Sequence, residues 1–400
     1  MVAHIQYLLY FQWVSFLISL VRVKLALVRF IEAFLMSSNL RMIVSGGGTG
    51  GHFFPAQAIF KSLCKRGVEM KYIGSRFGIE SNYFNNINEA ALLNIRGFQR
   101  HFTLDSVLKN SLFPYRFIKS YLQSRKIITD YNPHVLIGTG GYSSGLPLLA
   151  AIHKGVKTVI QEQNSFPGVT TRKLGKKATK VCIAFEESRR YFEQNNVIRT
   201  GNPVRADLKE IDKIRAKQSY QFDATRSVMA ILGGSQGSTP LNLHFEKYFE
   251  QYISSKIQIL WQCGKNDYSK LRVLNTNDGL HIIPFTENMN NFYSAADIII
   301  SRSGALTLSE MSCLGKAMIL IPFPKSAGNH QIKNAETFTN SGAAILINQF
   351  ELKTGKMEKT VLDLINSPKK ISIMEKNSHN MSTPNALEKI TQTIMEIAKS

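Results

Sequence analysis

The residues best suited to chemistry lie where short apolar runs give way to small and polar residues. The stretch from Asp297 to Glu310 reads DIIISRSGALTLSE. Its apolar part predicts a buried strand, Ser301–Gly304 a turn, and Ala305–Glu310 the first turns of a helix. A helix that begins after a turn of small residues presents free backbone N–H groups and the positive end of its dipole, which suits a diphosphate. Glu310 could accept hydrogen bonds from ribose hydroxyls or merely complement the helix N-terminus, and the sequence leaves both interpretations open.

A glycine-rich segment at residues 46–52, GGGTGGH, separates the predicted buried strand Arg41–Val44 from a predicted helix, Pro55–Arg66. It contains the G-x-G-x-x-G spacing of dinucleotide-binding loops, which alone is a weak signal. Binding of NAD also requires an acidic residue at the end of the second strand, about 20 positions further on. Glu69 lies at the opposite end of that predicted strand, Met70–Ile73, so NAD is disfavoured. The segment still suits close approach of a phosphate or a sugar to the backbone.

A second glycine-rich turn, GTGGYSSG at residues 138–145, follows the predicted strand Val135–Ile137. Tight packing of a strand on a helix would explain one such turn, whereas two in one half of the chain indicate an extended anion site. The next predicted strand, Lys157–Gln161, runs into the polar residues Glu162-Gln163-Asn164. Open α/β sheets bind ligands at the carboxyl ends of their parallel strands, where these polar residues would lie.

The same order of strand, glycine turn and helix recurs in the second half of the chain, at Val228–Leu232 and GGSQG (233–237). Further predicted strands follow it, at Ile257–Trp261, His281–Pro284, Asp297–Ile300 and Ala317–Ile321. The pattern predicts an α/β protein with two separate doubly wound domains. We place these domains at residues 41–205 and 206–384. The amphipathic C-terminal helix, residues 385–400, is expected to pack back across the domain junction.

The net charge of +21 on 400 residues indicates an anionic partner: nucleic acid, an anionic membrane surface or phosphorylated substrates. The sequence has no zinc-finger spacing and no aromatic–basic RNA-binding signature, so nucleic acid is disfavoured. A basic run within residues 172–180 is either an ordinary solvated face or a contact with lipid headgroups. The four cysteines lie far apart in sequence, which is typical of reduced thiols in a cytosolic protein.

The first forty residues form an apolar and basic extension. Ile5–Val21 carries no charge and is rich in aromatic residues, and three basic residues between positions 22 and 29 interrupt an apolar run that ends near Met36. The uncharged part is slightly short for a spanning helix of about 20 residues, and it lacks the basic n-region and cleavage site of a signal peptide. An interfacial membrane anchor fits this composition best. There are two alternatives. The segment could span the membrane, or translation could begin at Met36 or Met42.

Seven of these stretches together resemble the MurG family of glycosyltransferases, which add N-acetylglucosamine to lipid I in peptidoglycan synthesis. They are spread over residues 42–400 and read GGGTGGHFFP (46–55), GTGGYSSG (138–145), QEQNSFPG (161–168), GNPVR (201–205), GGSQG (233–237), SRSGALTLSE (301–310) and NHQ (329–331). The resemblance implies the GT-B architecture, in which two Rossmann-like domains face a cleft. It also implies use of UDP-N-acetylglucosamine without a bound metal or other cofactor, and a peripheral position on the cytoplasmic face of the bacterial inner membrane.

Carried over residue by residue, the resemblance assigns the two substrates to different parts of the chain. It implies that loops containing Gly48, Gly140, Gly141 and Tyr142 hold the acceptor diphosphate near the membrane. Thr286 occupies a position where the family often has an apolar residue that contacts uracil through its backbone. The segment Lys325–Gly328 is less charged than is common in the family, and the forty-residue N-terminal extension is not part of the family's usual pattern. The implied donor contacts are Thr49, Gly50, Gly51, Asn164, Arg205, Ser235, Thr286, Ala305, Leu306, Thr307, Leu308, Ser309, Glu310 and Gln331.

The reaction implied by the resemblance is transfer to the C4 hydroxyl of the N-acetylmuramyl unit, with inversion at the anomeric carbon. Helix N-termini near Ala305, together with Arg205, would stabilise charge on the leaving diphosphate. His52 is the first candidate for the base that deprotonates the acceptor hydroxyl, because it lies on a glycine loop expected to face the cleft and imidazole titrates near neutral pH. Glu162 is the second candidate. His52 could instead only cap or orient its loop.

Three other functions stay open from the sequence. The chain could be another GT-B lipid glycosyltransferase, such as a diacylglycerol glycosyltransferase, although the QEQN and GGSQG motifs together argue against it. A UDP-sugar epimerase of similar fold is disfavoured because it needs no lipid-facing surface. A catalytically silent, membrane-bound UDP-sugar-binding subunit is disfavoured by the intact His52, Glu162 and Glu310, and an activity assay would exclude it.

Overall fold

The computed structural model describes residues 40–84, 90–97, 113–205, 207–234 and 236–400. The predicted N-terminal anchor and Ser235 lie outside the described residues. The described chain forms two parallel sheets, one of seven strands in the order β3-β2-β1-β4-β5-β6-β7 and one of six in the order β10-β9-β8-β11-β12-β13.

The strands of the first sheet fall between residues 41 and 199, and those of the second between residues 228 and 346. In the first sheet they are β1 (Arg41–Ser45), β2 (Glu69–Ser75), β3 (Ala90–Leu93), β4 (Val135–Gly138), β5 (Lys157–Glu162), β6 (Lys180–Ile183) and β7 (Val197–Arg199). In the second they are β8 (Val228–Leu232), β9 (Gln258–Gln262), β10 (Leu280–Ile283), β11 (Ile298–Ser301), β12 (Ala317–Leu320) and β13 (Ala344–Leu346).

Helices cover both faces of each sheet. They are α1 (Gly50–Cys64), α2 (Phe113–Tyr131), α3 (Gly141–His153), α4 (Val169–Gly175), α5 (Lys213–Gln218), α6 (Thr239–Ser254), α7 (Lys265–Leu271), α8 (Met289–Ala295), α9 (Ala305–Cys313), α10 (His330–Asn340), α11 (Lys356–Ile365), α12 (Pro368–Asn380) and α13 (Ala386–Lys399). Strands buried on both faces are apolar along their whole length, which explains the continuous runs MIV, VLI and VMAIL in β1, β4 and β8.

Each sheet reverses its strand order at one point, and these two switch points locate the site. In the first sheet β1 and β4 are neighbours, and Ser45 pairs with Gly138 at their carboxyl ends. In the second sheet β8 and β11 are neighbours, and Leu232 pairs with Ser301. Ligands of open α/β sheets bind in the crevice outside such a switch point. All of the glycine-rich turns singled out from the sequence, together with the Ser301–Gly304 turn, follow one of these four strands.

Helix α13 returns the chain to the first sheet. Its buried residues Ile390, Ile394 and Ile397 share a core with Phe53 of α1 and Val135 of β4. The end of α13 is also held by the Lys157 side chain, which donates to the Ile397 carbonyl at 3.1 Å. The C-terminus therefore packs against the domain in which the chain began, after the chain has completed the second sheet.

The sequence placed one functionally important boundary wrongly. Helix α1 was predicted to begin at Pro55, yet it begins at Gly50 and ends at Cys64. Gly51 and His52 therefore lie in the first helical turn and not in a flexible loop. A contact from outside the helix favours this early start, because the Thr139 hydroxyl donates to the His52 carbonyl at 2.7 Å. Among the parts of the chain that the structure describes, no helix is both long and apolar enough to cross a bilayer.

Candidate active site

The two glycine turns at the first switch point are in direct contact. Gly141 has a φ of +75°, and a Cβ added to it would lie 2.4 Å from the carbonyl oxygen of Gly47. The Tyr142 ring lies over Gly48, where an added Cβ would come within 2.5 Å of it. The structure thus brings together all four predicted acceptor-loop residues: Gly48, Gly140, Gly141 and Tyr142. One predicted role changes, because the Gly48 N–H is already donated to a buried carboxylate, Glu80 Oε2, at 2.8 Å.

His52 bridges these turns to the end of β5. Its Nδ1 lies 3.1 Å from the Thr139 carbonyl oxygen and 3.0 Å from Gln163 Oε1. Both partners are acceptors, so Nδ1 carries the ring proton and Nε2 keeps its lone pair. Burial lowers the pKa of His52, which favours this neutral form at pH 7. Within the described residues Nε2 has no hydrogen-bond partner. His52 therefore orients its loop through Nδ1 and leaves Nε2 able to accept a proton.

The direction of these hydrogen bonds is set by three buried amides, Gln161, Gln163 and Asn202, which we call the amide relay. Gln163 Nε2 donates to the Thr139 carbonyl at 2.8 Å and also to Gln161 Oε1, so its Oε1 faces His52. Gln161 Nε2 donates to Asn202 Oδ1 at 3.0 Å. Asn202 Nδ2 in turn donates to Ser309 Oγ of α9 at 3.0 Å. The relay therefore runs from the imidazole across the domain junction to the second domain.

Glu162 lies between Gln161 and Gln163 of the amide relay and is 3% exposed. Its Oε1 accepts from the backbone N–H of Asn164 at 2.9 Å and from the Asn164 side-chain amide at 3.1 Å. Burial raises the pKa of Glu162 to about 7. The carboxyl group thus positions Asn164, and its role as the second candidate base stays a prediction.

Asn334 on α10 makes a second contact between the domains, and sequence reasoning missed it. Its Oδ1 accepts from the Ser165 backbone N–H at 2.9 Å, and its Nδ2 donates to Asn164 Oδ1 at 3.1 Å. The available signal was its position three residues after Gln331, one turn along the same helix. Gln331 itself accepts from the Phe323 N–H through Oε1 at 2.9 Å, which holds the turn after β12.

The N-terminus of α9 lies at the second switch point. Its N-cap residue is Gly304, which has no side chain that could bond the N–H groups of the first turn. The first intrahelical hydrogen bond runs from the Leu308 N–H to the Gly304 carbonyl, at 2.9 Å. The N–H groups of Ala305, Leu306 and Thr307 are therefore free for an anion. The Leu308 side chain belongs to the core, and Ser309 is turned toward the amide relay. Of the predicted segment, the first turn is thus the part that presents donors.

Glu310 and Arg205 form an ion pair across the domain junction, with Arg205 Nε 3.0 Å from Glu310 Oε1. The buried Tyr293 hydroxyl donates to Glu310 Oε2 at 2.8 Å. Both carboxylate oxygens therefore have a partner in the protein. The two predicted donor-site residues are brought together, and a ribose that binds Glu310 would share or replace these partners.

Arg302 lies within the Ser301–Gly304 turn, and the sequence did not predict a role for it. One terminal nitrogen of its guanidinium donates to the Ile321 and Pro322 carbonyls, and the other donates to Ser238 Oγ and Gln349 Oε1 at 2.7 Å each. Burial lowers the pKa of Arg302 to about 10, so it stays charged at pH 7. Within the described chain it forms no ion pair, and its hydrogen-bond partners lie after β12, at the start of α6 and after β13.

Thr286 follows β10, at the carboxyl edge of the second sheet. It is 9% exposed, and its N–H donates to Gln262 Oε1 at 3.1 Å. A uracil that used the backbone here would therefore meet the carbonyl and not the N–H. On the first sheet, Thr49 and Gly51 are exposed at the start of α1, and their contact with the donor stays a prediction.

Family models match most of the described chain. The Glycosyltransferase family 28 N-terminal domain matches residues 42–183, and the Glycosyltransferase family 28 C-terminal domain matches residues 228–392. Similar solved structures include that of Acinetobacter baumannii MurG, with a TM-score of 0.71 and 26% identity over 89% of this chain and 99% of that one. A calicheamicin glycosyltransferase gives a TM-score of 0.62 at 11% identity, over 90% of this chain and 98% of that one, which shows the fold alone. The predicted GT-B fold of two Rossmann-like domains is confirmed.

Curated relatives extend over nearly the same length. The UDP-N-acetylglucosamine–N-acetylmuramyl-(pentapeptide) pyrophosphoryl-undecaprenol N-acetylglucosamine transferases of Flavobacterium psychrophilum, Christiangramia forsetii and Bacillus cytotoxicus are 38%, 37% and 33% identical to this chain. The alignments cover 90% of this chain in each case, and 98%, 99% and 100% of the relatives. The chain therefore belongs to the MurG family of N-acetylglucosamine transferases.

Proposed function

We propose that the chain transfers N-acetylglucosamine from UDP-N-acetylglucosamine to the C4 hydroxyl of the N-acetylmuramyl unit of lipid I, with inversion, to form lipid II in peptidoglycan synthesis. The amide relay carries this proposal, because it joins a neutral imidazole with a free Nε2 to the helix whose first turn is open to a diphosphate. A base and an anion site held in one network suit transfer of a sugar away from a nucleoside diphosphate. Residues 41–205 with the C-terminal helix would bind the acceptor, and residues 206–384 the donor.

On the donor side, the N–H groups of Ala305, Leu306 and Thr307 receive the diphosphate. As the bond between the anomeric carbon and the diphosphate oxygen breaks, these fixed donors stabilise the negative charge that passes to UDP. Arg205 reaches the same region from the first domain, and Glu310 is available to the ribose.

On the acceptor side, the C4 hydroxyl gives its proton to His52 Nε2. The hydroxyl oxygen then forms its bond to the anomeric carbon from the face opposite UDP, so the α-linked sugar becomes β-linked. The lipid-linked diphosphate lies along the contacting glycine turns. Gly50 and Gly51 of α1, which the resemblance assigns to the UDP-sugar, are reassigned here as backbone donors to the acceptor, because the α9 N-terminus of the second domain receives the diphosphate of UDP. Neutral His52 is suited to this step because burial disfavours its protonated form before the reaction.

A surface of the first domain is suited to the membrane. Helix α2 exposes Tyr115, Ile118 and Leu122 by 60%, 59% and 58%, on one face of the helix. Basic residues surround this face: Arg116, Lys119, Arg125 and Lys126 on α2, and Lys173, Lys176 and Lys177 at α4. Helices α2, α3 and α4 are neighbours on the same side of the first sheet. We infer peripheral binding to anionic lipid on the cytoplasmic face of the inner membrane, with any anchor in residues 1–39 as an addition.

The first test is transfer of labelled N-acetylglucosamine from UDP to a lipid I analogue by the purified chain, with EDTA present. We expect transfer with inversion, because the protein itself supplies positive charge to the diphosphate. Binding of UDP-N-acetylglucosamine without transfer would favour the silent binding subunit. Transfer to diacylglycerol and not to lipid I would favour another lipid glycosyltransferase.

Substitution of His52 separates its two roles. His52→Asn keeps an N–H near the position of Nδ1 but removes Nε2, so we expect kcat to fall by about 10²–10⁴-fold with little change in UDP affinity. In the wild type, kcat/KM should hold as pH falls to 6.5, the ordinary value for imidazole, because the lowered pKa keeps His52 unprotonated there. Activity is then lost below that lowered pKa. The exposed His153 serves as a control through His153→Ala. Full turnover in His52→Asn would reduce His52 to an orienting role.

Substitution of Glu310 tests the ribose contact. Glu310→Ala should raise the KM for UDP-N-acetylglucosamine by roughly tenfold or more, since a charged hydrogen-bond acceptor is lost, with a smaller effect on kcat. Tyr293→Phe is the matched control, because it removes one protein partner of the carboxylate and leaves the carboxylate itself. A normal donor KM in Glu310→Ala would show that Glu310 serves only the pair with Arg205.

Introducing negative charge on the exposed face of α2 tests whether this face binds the membrane. The double variant Ile118→Glu with Leu122→Glu should bind vesicles of phosphatidylglycerol and phosphatidylcholine about tenfold more weakly or worse, because two apolar side chains no longer enter the interface. Wild-type binding should also fall as salt is raised. Ile373→Glu is the control, since Ile373 is similarly exposed, by 53%, on α12 of the second domain. Equal vesicle binding by the double variant and the control would reject this surface. Transfer to a soluble acceptor should be unaffected in both.

A further inference from the structure

Glu80 is a fully buried carboxylate beneath the first glycine turn. It lies in a short 3₁₀ turn, Ile79–Asn82, after β2 and is 0% exposed. Its Oε2 accepts from the Gly48 N–H and its Oε1 from the Ser75 N–H, each at 2.8 Å. Within the described chain it forms no ion pair with Lys, Arg or His. A buried carboxylate without a cation is stabilised only by such N–H donors, so both of them matter.

The surrounding backbone is shaped to fit this carboxylate. A Cβ added to Gly47 would lie 2.4 Å from the Glu80 carboxyl group, and one added to Gly78 would lie 2.0 Å from it. Gly47 has a φ of +141°, which disfavours other residues as well. Gly78 has a φ of −96°, so only the carboxylate, and not the backbone, excludes a larger residue there. Two glycines thus make room for one buried side chain.

The bond to Glu80 fixes which donors the turn presents. The Gly48 N–H points inward to Oε2, and the Tyr142 ring of the second turn lies over the same glycine. Downstream, the His52 and Phe53 N–H groups bond to the Thr49 carbonyl at 3.2 and 3.0 Å. This leaves the N–H groups of Gly50 and Gly51, at the start of the fifteen-residue helix α1, without a partner in the described chain. Gly48, which Glu80 anchors, precedes these two donors in the chain by two and three residues.

We propose that Glu80 is a positioning residue for the acceptor, which sets the 46–51 turn so that the Gly50 and Gly51 N–H groups receive the diphosphate of a lipid-linked acceptor. The inference depends on the proposed function, since that diphosphate is its ligand. Glu80 does not touch the substrate. It acts through Gly48, and it affects acceptor binding more than donor binding because the diphosphate of the donor binds to the second domain.

Two substitutions disturb this anchor by different routes. Glu80→Gln keeps the size but has one acceptor oxygen, so it can accept only one of the two N–H groups. Gly78→Ala keeps the carboxylate but displaces it, at a backbone conformation that alanine adopts freely. Glu358→Gln is the control, because Glu358 is also buried, with 6% exposure, but lies on α11 of the second domain. For each variant the KM for a lipid I analogue, the Kd for UDP and the Tm are measured.

We expect Glu80→Gln and Gly78→Ala to raise the acceptor KM roughly tenfold, the usual cost of losing a hydrogen bond to a charged group, with the Kd for UDP within about twofold of wild type. Glu358→Gln should leave the acceptor KM unchanged. If Glu80→Gln does not fold, Gly78→Ala decides the question. An unchanged or lower acceptor KM, or equal losses of donor and acceptor binding, would overturn the inference. Failure of the wild type to use lipid I would instead reject the proposed function, and the inference with it.

Discussion

The site depends on the direction in which hydrogen bonds run through the amide relay. Each amide of the relay has one donor end and one acceptor end, so fixing one of them fixes the next. Asn202 Nδ2 must donate to the Gln163 carbonyl, at 3.1 Å, and this sets Gln161, then Gln163, and finally the tautomer of His52. A buried amide left unpaired costs about 1–3 kcal/mol, so a reversed order is disfavoured at every link. The tautomer of the candidate base is thereby fixed at the domain junction.

The carboxyl groups around the cleft are each hydrogen-bonded or paired within the protein, which is compatible with binding of an anionic substrate. Glu80 is satisfied by two backbone N–H groups, Glu162 by Asn164, and Glu310 by Arg205 and Tyr293. Each carboxyl group thus has its hydrogen bonds inside the protein, and the raised pKa of Glu162, about 7, leaves it only partly charged at pH 7. The donors that we assign to the cleft are the N–H groups of helix N-termini. A cleft with acidic side chains can therefore still attract a diphosphate.

Most of the fold could be predicted from local sequence, because apolar runs bounded by glycine identify strands buried on both faces. Strands such as β8 and the first residue of α9, Ala305, agree with the expectation to the residue. Helix α1 was predicted five residues too late, since glycine has a low helix propensity and the contact that favours an early start comes from Thr139. The amide relay was also missed. Asn202 and Ser309 are 107 positions apart, and only the packed domains bring them together.

The ion pair between Arg205 and Glu310 is a different kind of contact between the domains from the buried amide hydrogen bonds. Arg205 ends the first domain and Glu310 lies on α9, and their side chains are 37% and 14% exposed. Arg205 is the accessible partner, so solvent screens part of its attraction to Glu310 and an exchange of its partner costs less than it would for a fully buried pair. On the proposed function, a nucleotide-sugar would offer its diphosphate to Arg205 and its ribose hydroxyls to Glu310, which would leave neither charge unpaired. The buried amides beside the pair have no such alternative partner. We therefore expect the domains to stay joined through Asn202 and Asn334 when the charged pair exchanges its partners for the substrate.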